Sequence, residues 1–420
     1  MRSVKSERGA VATIVAMLLG GAVIFGLLAM AVDVGALMVE RRQLQNGADA
    51  AAMSLAQSCA QGACVAGAND LSGLTNANAR DGAHTLAGQC LMNKPSSLSS
   101  ALPACPASSL AAPDCPPLPD TYASLATTLP YVEVRTSTSS NGASTLTNVF
   151  RRAGGNDPTS PADESSTDIH ACSRAAWGTP GGATATTPIT ISVCEWQKYT
   201  NGGASWVANP PTGAWPGYNA STNPYPPPFT TPNTSGREQM LTLHDPSKPP
   251  CSFNGKDTAG GFGYLQPTGS CEATIVTNGS DQWANIDTGS SATNDCKTRL
   301  ANIYANGPVV DIPVFDCIVK STTGTPTGGI AGKDCTGAGA SGAGSYYHIA
   351  GWAKFYISGY KIGGGPDTER PSRVGLAVPC SGAVRCLSGW FVRGPLAGAA
   401  TVVPPTSGSN FGSYAVIPVG

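Results

Sequence analysis

Fourteen cysteines and four histidines are the residues here whose spacing most constrains their chemistry. The cysteines are Cys59, Cys64, Cys90, Cys105, Cys115, Cys172, Cys194, Cys251, Cys271, Cys296, Cys317, Cys335, Cys380 and Cys386. A zinc site asks for Cys-x-x-Cys pairs or closely spaced histidines. No Cys-x-x-Cys occurs, and His84, His170, His244 and His348 are scattered. An even cysteine count without metal spacing reads as disulfides in an oxidising compartment. Connectivity does not follow from sequence; Cys59–Cys64, Cys172–Cys194 and Cys380–Cys386 are the local pairs that spacing suggests. We expect no metal and no other cofactor.

Other chemistry fails on context. Gly337 to Gly342 matches Gly-x-Gly-x-x-Gly, but it lies in a Gly/Ser/Thr-rich stretch and does not open a helix. Gly332-Lys333 lacks both the earlier glycine and the following hydroxyl of a phosphate loop. Asp163-Glu164-Ser165-Ser166-Thr167 has the residue types of an adhesion-type metal site but follows a Pro-rich turn instead of an apolar strand. No Gly-x-Ser-x-Gly elbow exists, so we expect no enzyme, although a triad assembled in space leaves no local signature. Trp177, Trp196, Trp283, Trp352 and Trp390 read as core aromatics. Trp206 and Trp215, in a Pro/Gly loop, are the candidates for an exposed contact.

The elements that hold these residues begin with one long helix. Residues 10–32 carry no charge and are almost wholly apolar, and about 20 such residues cross a bilayer. The run exceeds the apolar part of a cleaved signal peptide, about 7–15 residues. Arg2, Lys5 and Arg8 precede it, so the positive-inside rule keeps the N-terminus in the cytoplasm. Arg41 and Arg42 follow it and oppose that reading; the cysteines, all beyond the run, restore it. Asp33 either marks the outer membrane edge or pairs with a partner subunit in the membrane. Beyond it Leu44, Ala48, Ala51, Ala52 and Leu55 share one helical face. Such a small-residue stripe packs closely against a partner helix or against the chain's own folded part.

The remainder reads as β-rich. Residues 59–128 are an irregular Cys/Pro-rich region with one short helix near 76–91. Tyr131 to Arg135, Asp168 to Ala176, Thr187 to Cys194, Val309 to Phe315, Tyr346 to Ile362 and Ser388 to Val392 read as strands. Pro313 suggests an edge, and Gly351 or Gly359 a bulge. Asn294 to Asn306 reads as a helix stopped by Gly307. Residues of about 200–250 are too rich in Pro and Gly for a regular element. Charged residues are 12% and net charge is −1, so no basic patch points to nucleic acid.

Arg8-Gly9, Ala31-Val32-Asp33-Val34-Gly35, Leu44-Gln45 and Ala48-Asp49-Ala50-Ala51-Ala52 carry a resemblance. Arg8 to Ala56 resembles the N-terminal segment of TadE/TadG-like proteins of Flp (tight adherence) pilus assembly, over about an eighth of the chain. Short motifs farther on, including Ala175 to Gly178, Ser192 to Trp196, Gly260 to Leu265 and Ile312 to Asp316, are similar to exported regions of TadG-like proteins. Pilin-like substrates of prepilin peptidase carry a Glu five residues after the cut; here that position is Ile14, which implies an uncleaved anchor. Gly47 also replaces the more usual Ala.

The fold expected is α+β: a long N-terminal transmembrane helix, then a β-rich, disulfide-containing exported domain with long Gly/Pro-rich loops. The divisions are a cytoplasmic N-terminus (1–9), a transmembrane helix (10–32), a helical extension (33–58), the irregular region (59–128) and the β-rich domain (129–420). The resemblance implies a membrane-anchored accessory or structural protein of tight-adherence pilus assembly, single-pass in the cytoplasmic membrane, with its bulk outside the cytoplasm. Its partners would be the bilayer, and pilus-assembly subunits or pilin helices that pack on Asp33 and the Leu44 stripe. The alternative is a surface-anchored adhesin with a glycan or matrix ligand and no tie to pili.

Overall fold

The computed structural model describes residues 7–61, 64, 84–92, 102, 115–120, 122–123, 128–138, 146–147, 166–167, 169–185, 187–204, 206, 238–243, 251–253, 255–267, 271–276, 282–287, 294–306, 309–337, 340, 344–363, 368–372, 378–396, 401–403 and 410–420. Cys105, Asp163 to Ser165, Trp215, His244 and most of the 200–250 loop lie outside them. The chain forms two compact units, Met1–Ala176 with Pro418–Gly420, and Trp177–Ile417.

The first unit opens with helix α1, Glu7–Ala60, 54 residues without a break. At 1.5 Å per residue it is about 80 Å long. Gly20, Gly21, Gly26, Gly35 and Gly47 do not end it: a cost of about 1 kcal/mol per glycine does not break a long cooperative helix. The strands of this unit are β1 (His84–Met92), β2 (Tyr131–Thr138), β3 (Leu146–Thr147), β4 (Ser166–Thr167) and the first part of β5 (His170–Ala185). β1, β2 and β5 pair antiparallel in that order, with Glu133 opposite both Cys90 and Arg174. β3 and β4 pair with each other.

β1 corrects the expectation of a helix near 76–91. The Ala-rich stretch has helical propensity, but its described part pairs along the whole of β2 and buries Cys90 and Leu91. Pairing and burial override local preference.

In the second unit, strand β6 (Ile189–Ser192) runs directly into helix α2 (Val193–Thr200). The expected strand to Cys194 therefore stops early. Ser192 is the reason: its hydroxyl caps the helix by accepting the Cys194 N–H at 3.1 Å. Then come β7 (Gln239–Thr242), β8 (Cys251–Phe253), β9 (Lys256–Thr258), β10 (Phe262–Tyr264), β11 (Ala273–Val276) and β12 (Trp283–Asn285). After helix α3 (Asn294–Asn306) follow β13 (Val309–Lys320), β14 (Ser345–Lys361), β15 (Glu369–Arg370), β16 (Cys386–Val392), β17 (Gly394–Pro395), β18 (Thr401–Val403) and β19 (Ser413–Pro418).

The main sheet runs β10-β6-β13-β14-β16-β7. Leu243, just past β7, bridges to Phe262 of β10, so the two edges of the run meet and the sheet curls into a ring. Ile191, Leu241, Phe262, Ile312, Val314, Phe355 and Leu387 fill its core with Trp196 of α2 and Leu300 of α3. On a second face Phe315, Ile318, Tyr347 and Ile349 pack with Ala183 and Ala185 of β5 and Ile275 of β11. Gly389 lets β16 lie against β14, since a Cβ there would collide with the Tyr356 carbonyl.

Pro313 does not mark an edge: β13 lies between β6 and β14. β6 pairs with β13 at Val314 and Phe315, and beside that pairing the Pro313 carbonyl accepts the Thr190 hydroxyl at 2.9 Å. β14 shifts register beside both glycines expected to mark a bulge, against β13 next to Gly351 and against β16 next to Gly359.

Candidate functional site: the N-terminal helix and its socket

α1 divides by its surroundings. From Val11 to Val32 its large apolar side chains are exposed, Met17 at 72% and Phe25 at 74% among them. It is the one helix among the described residues long and apolar enough to cross a membrane. Beyond it the environment changes within two turns. Leu37 packs with Leu44, Ile169 and Ala171, and Leu44, Ala48, Ala51, Ala52, Leu55 and Ala56 are all at 2% exposure or less.

The socket for that stripe is the chain's own sheet. α1 packs on β2. The Thr136 hydroxyl donates to the Leu44 carbonyl at 3.2 Å, and Gln45 Nε2 donates to the Cys172 carbonyl at 2.9 Å. Small side chains at 48, 51 and 52 let the helix backbone approach a sheet as they would another helix. Of the two occupants the sequence left open for this stripe, the structure has the chain's own folded part. Asp33, at i−4 from Leu37 and i−11 from Leu44, falls on the same face and is half-buried. Leu44→Ala should destabilise the helix–sheet junction by about 2–5 kcal/mol, the usual cost of truncating a buried leucine. Hydrogen exchange of residues 44–56 in the full chain would read this as faster exchange than wild type; unchanged protection there would contradict the packing.

Sequence reasoning missed what lies on the other face of the sheet. Glu133 and Arg135 on β2 and Arg174 on β5 are buried to 4%, 4% and 8% exposure. Glu133 Oε1 receives Arg135 Nε at 2.6 Å and its Oε2 receives Arg174 Nε at 2.7 Å. Arg174 Nη1 also donates to the Pro116 carbonyl at 2.7 Å. The alternation Tyr131, Glu133, Arg135 looks like a solvated strand face. Cover comes from the 115–119 segment, tied down by Cys115–Cys172. Cys115, Cys172 and Glu133 lie close enough together for a metal, but the two sulphurs are bonded to each other and the carboxylate is held by two guanidiniums.

The described disulfides are Cys59–Cys64, Cys115–Cys172, Cys194–Cys251, Cys271–Cys296, Cys317–Cys335 and Cys380–Cys386. Cys90 is disulfide-bonded as well. Two of the three local pairs suggested by spacing are formed. The third, Cys172–Cys194, is replaced by two longer links, because Cys172 faces the segment at Cys115 and Cys194 in α2 faces β8.

In the second unit the ring aromatics are structural. Trp177, Trp196, Trp352 and Trp390 are buried. Trp206 is corrected from an exposed contact to a half-buried packing residue. Its Nε1 donates to the Gly203 carbonyl at 2.7 Å, Trp196 lies 6.2 Å away centre to centre, and the Arg393 guanidinium sits 4.7 Å over its ring. Burial there lowers the Arg393 pKa. Likewise burial raises the phenol pKa values of Tyr264 and Tyr347.

One acid–base pair was also invisible in the sequence. His348 Nδ1 lies 2.6 Å from Asp316 Oδ1 across the β13–β14 ladder, with Trp283 edge-on to the imidazole at 5.0 Å. Only the long antiparallel pairing brings them together. Cys317, directly opposite His348, is bonded to Cys335 and is no nucleophile. A second polar cluster joins the Glu238 carboxylate to the hydroxyls of Ser358 and Ser372, the latter at 2.6 Å, and pins the start of β7. A surface hollow of about 640 Å³ is lined by Lys320, Ser321, Thr323, Lys333 and Asp334. Hydrogen bonds from the Thr336 N–H and hydroxyl lower the Asp334 pKa.

The geometry defines a class: a chain led by one membrane-length helix whose far half is built into a disulfide-tied, β-rich body. Residues 9–54, the exposed apolar run and most of the docked stripe, match the family described as "Putative Flp pilus-assembly TadE/G-like". That segment supports a role in Flp pilus assembly. No curated protein and no solved structure matches the chain.

Proposed function

We propose that the chain is a membrane-anchored accessory protein of a tight-adherence pilus system and works by assembly, without catalysis. α1 holds it in the cytoplasmic membrane, uncut, with its N-terminus in the cytoplasm and both folded units outside. Those units act as an extracytoplasmic scaffold for pilus-assembly subunits. The observation that carries the reading is the family match over residues 9–54, on a helix that is lipid-compatible in one half and docked in the other. Disulfide bonding of the described cysteines supports an oxidising location for the folded units. Ile14, in place of the Glu of peptidase substrates, supports a fixed component over a polymerised pilin.

The adhesin alternative leaned on exposed tryptophans, and the packing of Trp206 weakens it. Deleting the gene should abolish or sharply reduce surface pili and attachment, with restoration by the full-length chain. Normal piliation in the deletion strain would contradict the proposal.

A further inference from the structure

We infer that Val34, Met38, Arg41 and Arg42 form a lipid-facing collar that seats the first unit on the membrane surface by binding phosphates of anionic phospholipids. The inference rests on the anchoring half of the function proposed above and not on its pilus half.

These four residues fall at i, i+4, i+7 and i+8, so they share one face of α1. It flanks the sheet-facing side of the helix: Leu37, i+3 from Val34 and i−4 from Arg41, packs with Leu44 on Ile169 and Ala171, and Glu40 is at 7% exposure. Val34 is 38% and Met38 60% exposed, and both arginines are exposed.

Helix rise sets their depth. The uncharged run 10–32 covers about 34 Å, close to the roughly 30 Å of a hydrocarbon core. Leu37 then stands about 7 Å above Val32, and each headgroup layer is about 5–7 Å thick. The sheet therefore begins to pack on α1 where lipid ends, which leaves the uncovered flank of the helix beside headgroups. From Arg8 to Arg41 is about 50 Å along the helix, or about 46 Å at an ordinary tilt near 20°. A bilayer with its headgroups measures about 40–45 Å. Arg41 and Arg42 stand about 13–15 Å above Val32, past a headgroup layer of about 5–7 Å, and an extended arginine side chain spans the difference. Long cationic side chains snorkel back toward that layer while their stems, with Val34 and Met38, cover acyl chain ends. An aqueous location would leave Val34, Met38 and Val39 as bare apolar surface next to lipid. A partner helix would have to meet two unscreened arginines, whereas an anionic headgroup meets them favourably.

The test uses the delipidated full-length chain in detergent micelles, with added phosphatidylglycerol or phosphatidylcholine, read by native mass spectrometry. Retained phosphatidylglycerol should exceed phosphatidylcholine, and Arg41→Gln/Arg42→Gln should reduce it by about fivefold per cation removed. Arg41→Lys/Arg42→Lys should keep it. In an Arg2→Gln/Lys5→Gln/Arg8→Gln background the loss on removing Arg41 and Arg42 should persist. Equal retention of the two lipids, no loss in the Gln pair, or displacement by millimolar inorganic phosphate would overturn the lipid collar. Failure of carbonate-resistant membrane association would instead overturn the anchor itself. Both exposed substitutions leave the helix–sheet junction intact, which unchanged hydrogen exchange at residues 44–56 verifies.

Discussion

Glu133→Ala should destabilise the first unit by about 3–5 kcal/mol, a large share of the stability of any single domain. The carboxylate sits between Arg135 and Arg174, with ion-pair contacts of 2.5 and 2.7 Å and side chains at 9% exposure or less. Removing it leaves two guanidinium charges side by side with little water to screen them. The size of the effect comes from that uncompensated charge and is not the net worth of the pairs. A contrasting variant separates the two. Replacing all three residues with apolar side chains of similar volume should be close to neutral, because burial of charge is itself expensive. The readout is hydrogen exchange over residues 131–137 in the full chain, since two units make a single unfolding midpoint ambiguous. Equal destabilisation by the single and the triple replacement would show that shape, not charge, holds this sheet.

The second large effect is at Cys194–Cys251. The link closes a separation of 57 residues, and the chain-entropy model assigns a loop of that size about 4 kcal/mol. It joins α2 to β8, and α2 delivers Val193 and Trp196 to the ring core. Cys194→Ala/Cys251→Ala should therefore loosen the second unit by about 2–5 kcal/mol. Peptide mapping under non-reducing conditions should recover Cys194–Cys251 and Cys115–Cys172. A Cys172–Cys194 peptide, the pair that sequence spacing favours, would contradict the fold at both places.

That pairing illustrates what was legible in the sequence. Periodicity and capping identified α1, α3 and the long β14, because each follows from local rules: an uninterrupted apolar run, an Asn-led helix before glycine, and a dense aromatic and β-branched strand. Elements whose state depends on distant partners were misread. β1 became a strand because β2 lies beside it. α2, by contrast, follows a local signal that the strand reading passed over, the Ser192 hydroxyl that caps it. Pro313 lies in a central strand because β6 pairs with β13 just beyond it, at Val314 and Phe315. Cysteine connectivity followed tertiary proximity and not spacing.

The candidate site shows the same division. The Leu44 to Leu55 stripe was readable as a close-packing face, but a small-residue face fits a helix or a sheet equally well. Only the folded chain shows which surface occupies it. The Glu133 cluster and the Asp316–His348 pair depend on strand register, and a single residue of slip would move each member to the opposite face. Trp206 looked exposed because it lies in a Pro/Gly-rich stretch; its neighbours in space are Trp196, Arg393 and Gly412.

With the stripe docked on its own sheet, the contacts that the proposed function requires with pilus-assembly subunits fall to the exposed apolar run of α1 or to the surfaces of the folded units. Co-purification addresses the central claim most directly: a tagged full-length chain is isolated from gently solubilised membranes after brief crosslinking, and its partners are identified by mass spectrometry. The account predicts pilus-assembly subunits or pilin, enriched over a control carrying the same tag on an unrelated single-span protein. Recovery of the intact chain without any pilus component, from cells that are making pili, would contradict it.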